Sequence, residues 1–396
     1  MNSTSSHANP ALTERALFSL FSHLRCGRLQ LVTSDGSTRE FVGPKPGPSA
    51  LVEIGDPRAA SRLLRGQSLG MAEGYIAGEW DTPDLDAVLA LGLANLSEKP
   101  LSLPSVRNVL VRAWHALQDN SPSGSKRNIA HHYDLGNDFY ELWLDETMAY
   151  SAALFERDGD DLSPAQVRKW DRMLELLQPG RQDHILEIGS GWGGFAIHAA
   201  RQSGCRVTGV TLSKEQHEWA TRAVAKAGLE GRIELRLQDY RDIGERFSAI
   251  ASIEMFEAVG CRWWPVFFGR LRELVRQGGA IALQTITIDD ARFDEYLREP
   301  DFIQRYIFPG GMLPSPERFR ASAEQSGLKV GSGRFFGTSY SRTLKAWSER
   351  FEAALPKVRE LGFDEDFIRM WRYYLAYCGA GFDARTIDVM QVRLEA

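Results

Sequence analysis

The chain has 396 residues, 43% hydrophobic, 25% charged and 10% aromatic, a globular composition that excludes extended disorder. Forty-seven Lys and Arg against 52 Asp and Glu leave a formal charge of -5, without the basic excess that a dedicated nucleic-acid binder needs. The opening MNSTSSHANP lacks the basic and apolar regions of a signal peptide, and no apolar run approaches the ~20 residues that span a bilayer. A cytoplasmic protein is expected. Cys26, Cys205, Cys261 and Cys378 are too dispersed for a zinc framework and are read as reduced thiols. The tandem His131-His132 has no acidic or cysteine cluster beside it, so no metal is expected.

In chain order, residues up to Leu117 read as mainly helical, with short extended runs at Leu29 to Val32 and Leu51 to Ile54. The breaker segment Gly43-Pro44-Lys45-Pro46-Gly47-Pro48 lies between them. The polar stretch Asn120 to Lys126 marks a boundary. It divides a helical domain at 1–120 from a linker at 121–127 and a larger domain at 128–396. In that domain HILEIG, RVTGVTL, RIELRLQ, FSAIASIEM and GGAIALQTITI alternate with helical patterns, which predicts an α/β fold with a mostly parallel sheet. Helical insertions are expected at about 288–328, after the fifth strand, and near 345–380, with strand-like segments at Lys329 to Phe336 and Thr386 to Leu394.

The segment Ile185-Leu186-Glu187-Ile188-Gly189-Ser190-Gly191-Trp192-Gly193-Gly194 is a buried strand that runs through glycines into a helix. Such glycines let backbone approach a ligand at a helix N-terminus. The spacing also satisfies the dinucleotide pattern GxGxxG. Glu187 before the first glycine, and a second strand that ends in Thr211-Leu212-Ser213 without an acid for an NAD ribose, argue for ExGxGxG instead. That is the pattern of methyltransferases that bind S-adenosylmethionine. Thr211 and Gln216 at the second strand end, and Gln238-Asp239 after the third, stand where the ribose and adenine of such a ligand are expected.

Further motifs are His132-Tyr133-Asp134-Leu135-Gly136-Asn137-Asp138-Phe139-Tyr140, Met148-Ala149-Tyr150-Ser151, Gln238-Asp239-Tyr240-Arg241-Asp242, Phe256-Glu257-Ala258-Val259-Gly260, Tyr306-Ile307-Phe308-Pro309-Gly310-Gly311 and Trp371-Arg372-Tyr373-Tyr374-Leu375. With these the chain resembles the cyclopropane-fatty-acid synthase family, including the mycolic acid cyclopropane synthases. Gly74-Tyr75-Ile76-Ala77-Gly78-Glu79-Trp80-Asp81 is similar to the small domain of its phospholipid-acting branch. The resemblance implies a class I, Rossmann-like methyltransferase with a seven-stranded sheet. Its activity would be methyl transfer from S-adenosylmethionine to a cis double bond in a phospholipid acyl chain, through a carbocation. Tyr150, Ser151, Glu187, Gly189, Ser190, Gly191, Gly193, Thr211, Gln216, Gln238 and Asp239 would hold the cofactor. Aromatic faces of Tyr133, Phe139, Tyr140, Trp143 and Tyr150 suit a sulfonium and a carbocation. The substrate implies peripheral association with the inner face of the membrane, for which the apolar run Leu85 to Leu96 is a candidate, and homo-oligomerisation is left open.

The family's ring closure uses a base thought to be bound bicarbonate, held by a Cys, a Glu, a His, a Tyr and a backbone amide. Glu257 and Tyr340 match, but Ala152 replaces the Cys and Gln284 the His. Catalytic roles therefore fall to Glu257, Tyr340 and Gln284 beside a weakened anion site, with a cyclopropane or a methyl-branched or methylene chain as product. The competing readings are a methyltransferase of a small soluble metabolite and a non-catalytic lipid- or cofactor-binding protein.

Overall fold

The computed structural model describes residues 10–95 and 135–396. The linker at 121–127, His131, His132 and Tyr133 lie outside them. Contacts divide the chain into two units, residues 1–112 with 362–384, and residues 113–361 with 385–396.

The first unit is not mainly helical. β1 (Cys26–Val32), β2 (Thr38–Val42), β3 (Lys45–Ile54) and β4 (Trp80–Asp81) form a four-stranded sheet in the order β2-β1-β3-β4. The segment read as a breaker is largely β3. Proline is tolerated there because β4 pairs only with Glu53 and Ile54, so the proline-containing half of β3 has a ladder on one side alone. The helix Leu85–Asn95 packs on β3 and on the helix Glu365–Asp383. Its Val88, Leu89 and Leu91 are buried, so this apolar run is core and not a membrane-facing surface. The helix Glu365–Asp383, read from sequence as part of the larger domain, belongs to this unit. Arg369 fastens it: the guanidinium donates to the carbonyls of Tyr75 and Trp80, pairs with Asp81 at 3.1 Å and lies 4.0 Å over the Tyr75 ring.

The second unit is the α/β domain that the strand alternation predicts. β5 (His184–Ile188), β6 (Arg206–Thr211), β7 (Ile233–Leu237), β8 (Phe247–Ile253) and β9 (Val275–Ile288) are mutually parallel. β10 (Lys329–Val330), β11 (Arg334–Phe335) and β12 (Ile387–Glu395) complete the sheet, with β12 antiparallel to β9. The order is β10-β12-β9-β8-β5-β6-β7, with β11 on the side of β12. Successive residues feed opposite faces. Ile185, Ala249 and Ala282 join a core with Trp170, Met173 and Phe195, whereas Leu186, Ile250 and Ile281 join one with Phe256, Phe267 and Phe268. Each fully buried large apolar side chain contributes about 1.5–3 kcal/mol, and burial on both faces explains why these strands read as continuous apolar runs. Chain order reverses between β5 and β8, which lie side by side, and such a switch point is where open α/β sheets bind ligands.

Candidate active site

The glycine loop follows β5. Gly189, Gly191 and Gly193 all have positive φ, at 83°, 50° and 86°, which favours glycine over any residue with a Cβ. A Cβ on Gly189 would stand 2.8 Å from Met255 Cγ, so this glycine packs β5 against the end of β8. A Cβ on Gly191 would meet nothing within 4 Å. Gly189 is therefore required by the protein, and Gly191 leaves room for something the protein does not supply. Ser190 Oγ is buried without a partner among the described residues, as is one carboxyl oxygen of Glu187. The Glu187 carboxyl accepts from the amide of Ala196 in the helix Gly194–Ser203, and burial holds its pKa well above the usual range. Orphaned buried polar atoms cost about 1–3 kcal/mol each, so a polar ligand on this loop recovers stability. The loop fits a nucleoside cofactor.

Beyond β6, Thr211 Oγ1 donates to Gln216 Oε1 at 3.0 Å and accepts from the amide of Ser213, which in turn caps the helix Lys214–Lys226. The structure thus brings Thr211 and Gln216 together. Beyond β7, Gln238 Nε2 donates to the carbonyl of Asp242 at 3.1 Å. Asp239 is clamped by Arg241, whose Nε and Nη2 reach its two oxygens at 2.9 and 2.6 Å. An adenine amine would share this carboxylate with Arg241.

Tyr150 sits in an aromatic box, with ring centroids 5.5 Å from Tyr140, 5.5 Å from Trp143, 5.4 Å from Trp347 and 6.4 Å from Phe308. Tyr140 is also 5.1 Å from Trp192 of the glycine loop, which joins the box to the cofactor side. Phe139 lies behind, fully buried against Trp143 and Phe351. Ser151 Oγ accepts from Lys169 Nζ at 2.6 Å. The helix Leu162–Leu177 turns Leu162, Ala165, Gln166, Lys169, Trp170, Met173 and Leu177 inward, and burial lowers the Lys169 ammonium to about 8.

The floor is built from the ends of β8 and β9. Glu254, unremarked in the sequence, has φ of 49° immediately after β8. Its carboxylate accepts from the Ala152 amide at 2.9 Å, from Gln284 Nε2 at 2.6 Å and from the Tyr340 hydroxyl at 2.8 Å. Burial raises its pKa, opposed by Lys169 and these donors. Glu257 accepts from Thr285 Oγ1 and the Ile286 amide. Burial, aided by the charge of Glu254, pushes it up to about 8. Gln284 is held at both ends, its Oε1 accepting from Gln391 Nε2 at 2.8 Å, so its amide orients Glu254. Tyr340 projects from the helix Gly337–Ala353, which also carries Trp347. The predicted Glu257, Tyr340 and Gln284 thus share one buried floor with two residues that motif reading missed, Glu254 and Lys169. For Lys169 the 3-4 spacing of the apolar face was a usable signal. For Glu254 the only hint was a second acid three residues before Glu257.

The family model of mycolic acid cyclopropane synthetase matches residues 120–392. The chain belongs to this family. As a member of the mycolic acid cyclopropane synthetase family it is an S-adenosylmethionine-dependent methyltransferase with a Rossmann-like fold. It is 39% identical to the tuberculostearic acid methyltransferase of Mycobacterium tuberculosis, over 97% of this chain and 91% of that protein. To the cyclopropane-fatty-acyl-phospholipid synthase of Escherichia coli (strain K12) it is 36% identical over 86% of each. Among solved structures, mycolic acid cyclopropane synthase CmaA1 complexed with SAH and CTAB superposes with a TM-score of 0.65 at 30% identity, covering 68% of this chain and 98% of that one.

Proposed function

We propose that this methyltransferase adds the methyl group of S-adenosylmethionine to the cis double bond of an unsaturated phospholipid acyl chain, giving a methyl-branched or methylene chain or a cyclopropane. The observation that carries this reading is the junction of the glycine loop, through Trp192 and Tyr140, with an aromatic box over two buried carboxylates. An alkene is a weak nucleophile, and its methylation leaves a carbocation that water would capture. The box offers π faces to that charge in a site closed to water.

When bound, S-adenosylmethionine supplies an electrophilic methyl group. Gly189, Ser190, Gly191, Gly193 and Glu187 would hold one part of it, Thr211, Gln216, Gln238 and Asp239 the nucleoside, and Tyr150 and Ser151 the methionine end. Lys169 fixes Ser151 and adds a positive charge that keeps a nearby carboxylate ionised. The named activities of the relatives, methyl transfer to a fatty acid and ring formation on a phospholipid acyl chain, support the same substrate class. Among the described residues no helix is long and apolar enough to cross a membrane, so we propose that lipid is met by peripheral association.

The test is S-adenosylhomocysteine release in the presence of vesicles. Release with unsaturated phospholipid and none with its saturated counterpart is expected. Equal release with both, or release only with a soluble amine or alcohol, would overturn the reading.

A further inference from the structure

Three donors converge on one point of the site floor: the Ala152 amide, Gln284 Nε2 and the Tyr340 hydroxyl. Two of these positions, 152 and 284, are where the sequence departs from the family's bicarbonate-binding pattern, and Tyr340 is where it agrees. A free anion does not fit among these donors, because the Glu254 carboxylate already takes all three. The main chain is bent to deliver it, for a φ of 49° is a region that non-glycine residues rarely adopt, and such strain collects at functional positions.

We infer that Glu254 replaces the exogenous anion and is the built-in proton acceptor of the reaction. The inference rests on the function proposed above. Methyl addition to one carbon of the double bond leaves the other positive. A C–H bond of the added methyl carbon, or of an adjacent chain carbon, then breaks. Its electron pair closes a ring or forms a new double bond, and the proton goes to the Glu254 carboxylate, whose charge passes from minus one to zero. No oxidant or reductant is needed. Three of the roughly four lone-pair sites of the carboxylate are occupied, which leaves one for the proton. Gln284 and Tyr340 act as positioning residues, and Lys169 keeps the resting carboxylate ionised.

The test is turnover on unsaturated phospholipid vesicles in buffer stripped of carbon dioxide, with and without added bicarbonate or formate. Wild-type enzyme should be indifferent to either anion. Glu254→Gly suits the backbone conformation and vacates the carboxylate's space. It should lose about a hundredfold in rate and recover much of it with bicarbonate or formate. Glu254→Gln fills the same space without a base, and should lose as much with no rescue. Unchanged S-adenosylhomocysteine affinity by calorimetry establishes that each variant is folded. If Glu254→Gly fails to fold, the wild-type and Gln arms still decide. Bicarbonate-dependent wild-type turnover, a Gln variant at wild-type rate, or a folded Gly variant that no anion rescues would each overturn the assignment. Absence of any turnover on unsaturated lipid would instead count against the substrate class, a distinguishable failure.

Discussion

Gly191→Ala separates what the fold requires from what a ligand requires. With φ of 50° and no atom within 4 Å of the added Cβ, the protein bears only the left-handed backbone cost, about 1–2 kcal/mol. For a domain of this size that is roughly 2–4 °C in Tm per kcal/mol. The methyl group enters the space assigned to the cofactor, so S-adenosylhomocysteine affinity should fall by at least about tenfold, or ~1.4 kcal/mol. Gly189→Ala is the control of opposite kind. Its Cβ would collide with Met255 at 2.8 Å, so it should lower Tm further than Gly191→Ala does. Titration calorimetry and thermal unfolding on both variants measure the contrast. Unchanged affinity in Gly191→Ala would refute the assignment of the loop.

Tyr340→Phe removes one donor from a buried carboxylate, a bond worth about 1.5–3 kcal/mol. The acid limb of its pH–rate profile should move to higher pH as Glu254 becomes harder to ionise, and an unmoved limb would count against the contact. Glu257, raised to about 8 from an unfolded value of about 4.3, contributes stability that is complete below the unfolded pKa and is lost as pH rises through the folded one. Wild type should therefore lose stability relative to Glu257→Gln between about pH 5 and 8.5, and parallel unfolding profiles would contradict this. Arg369→Ala deletes the bonds to Tyr75, Trp80 and Asp81. It should destabilise the first unit by about 2–3 kcal/mol, seen as earlier thermal unfolding, and an unchanged midpoint would show the clamp to be dispensable.

The sheet was legible because each buried parallel strand is a short apolar run closed by turn residues. The glycine loop was legible because its spacing has few other uses. The first unit was misread where local rules conflict with pairing. Prolines at 46 and 48 look like a break, yet they sit in β3 where one edge carries no ladder. Assignment of the helix Glu365–Asp383 to that unit depends on contacts nearly 300 residues apart in sequence, such as Arg369 with Tyr75, which no local pattern encodes. The site floor was half legible. Ala152 and Gln284 read as losses because a side-chain inventory counts neither the backbone amide of Ala152 nor a carboxylate brought in by a strained residue. Ala152 is still a donor, through its main chain, and Gln284 holds Glu254 in place of the donor it was thought to lack.

The substrate class is tested most directly by following the methyl group itself. S-adenosylmethionine carrying a trideuterated methyl group is incubated with enzyme and mixed saturated and unsaturated phospholipid vesicles, and the transmethylated acyl chains are weighed by mass spectrometry. Label in chains that were unsaturated, and in no saturated chain, is the expected result. Retention of all its deuterium marks proton loss from the chain, and loss of one marks a ring or a methylene group. Label confined to head groups or to a soluble acceptor, with the acyl chains unlabelled, would contradict the proposed reaction.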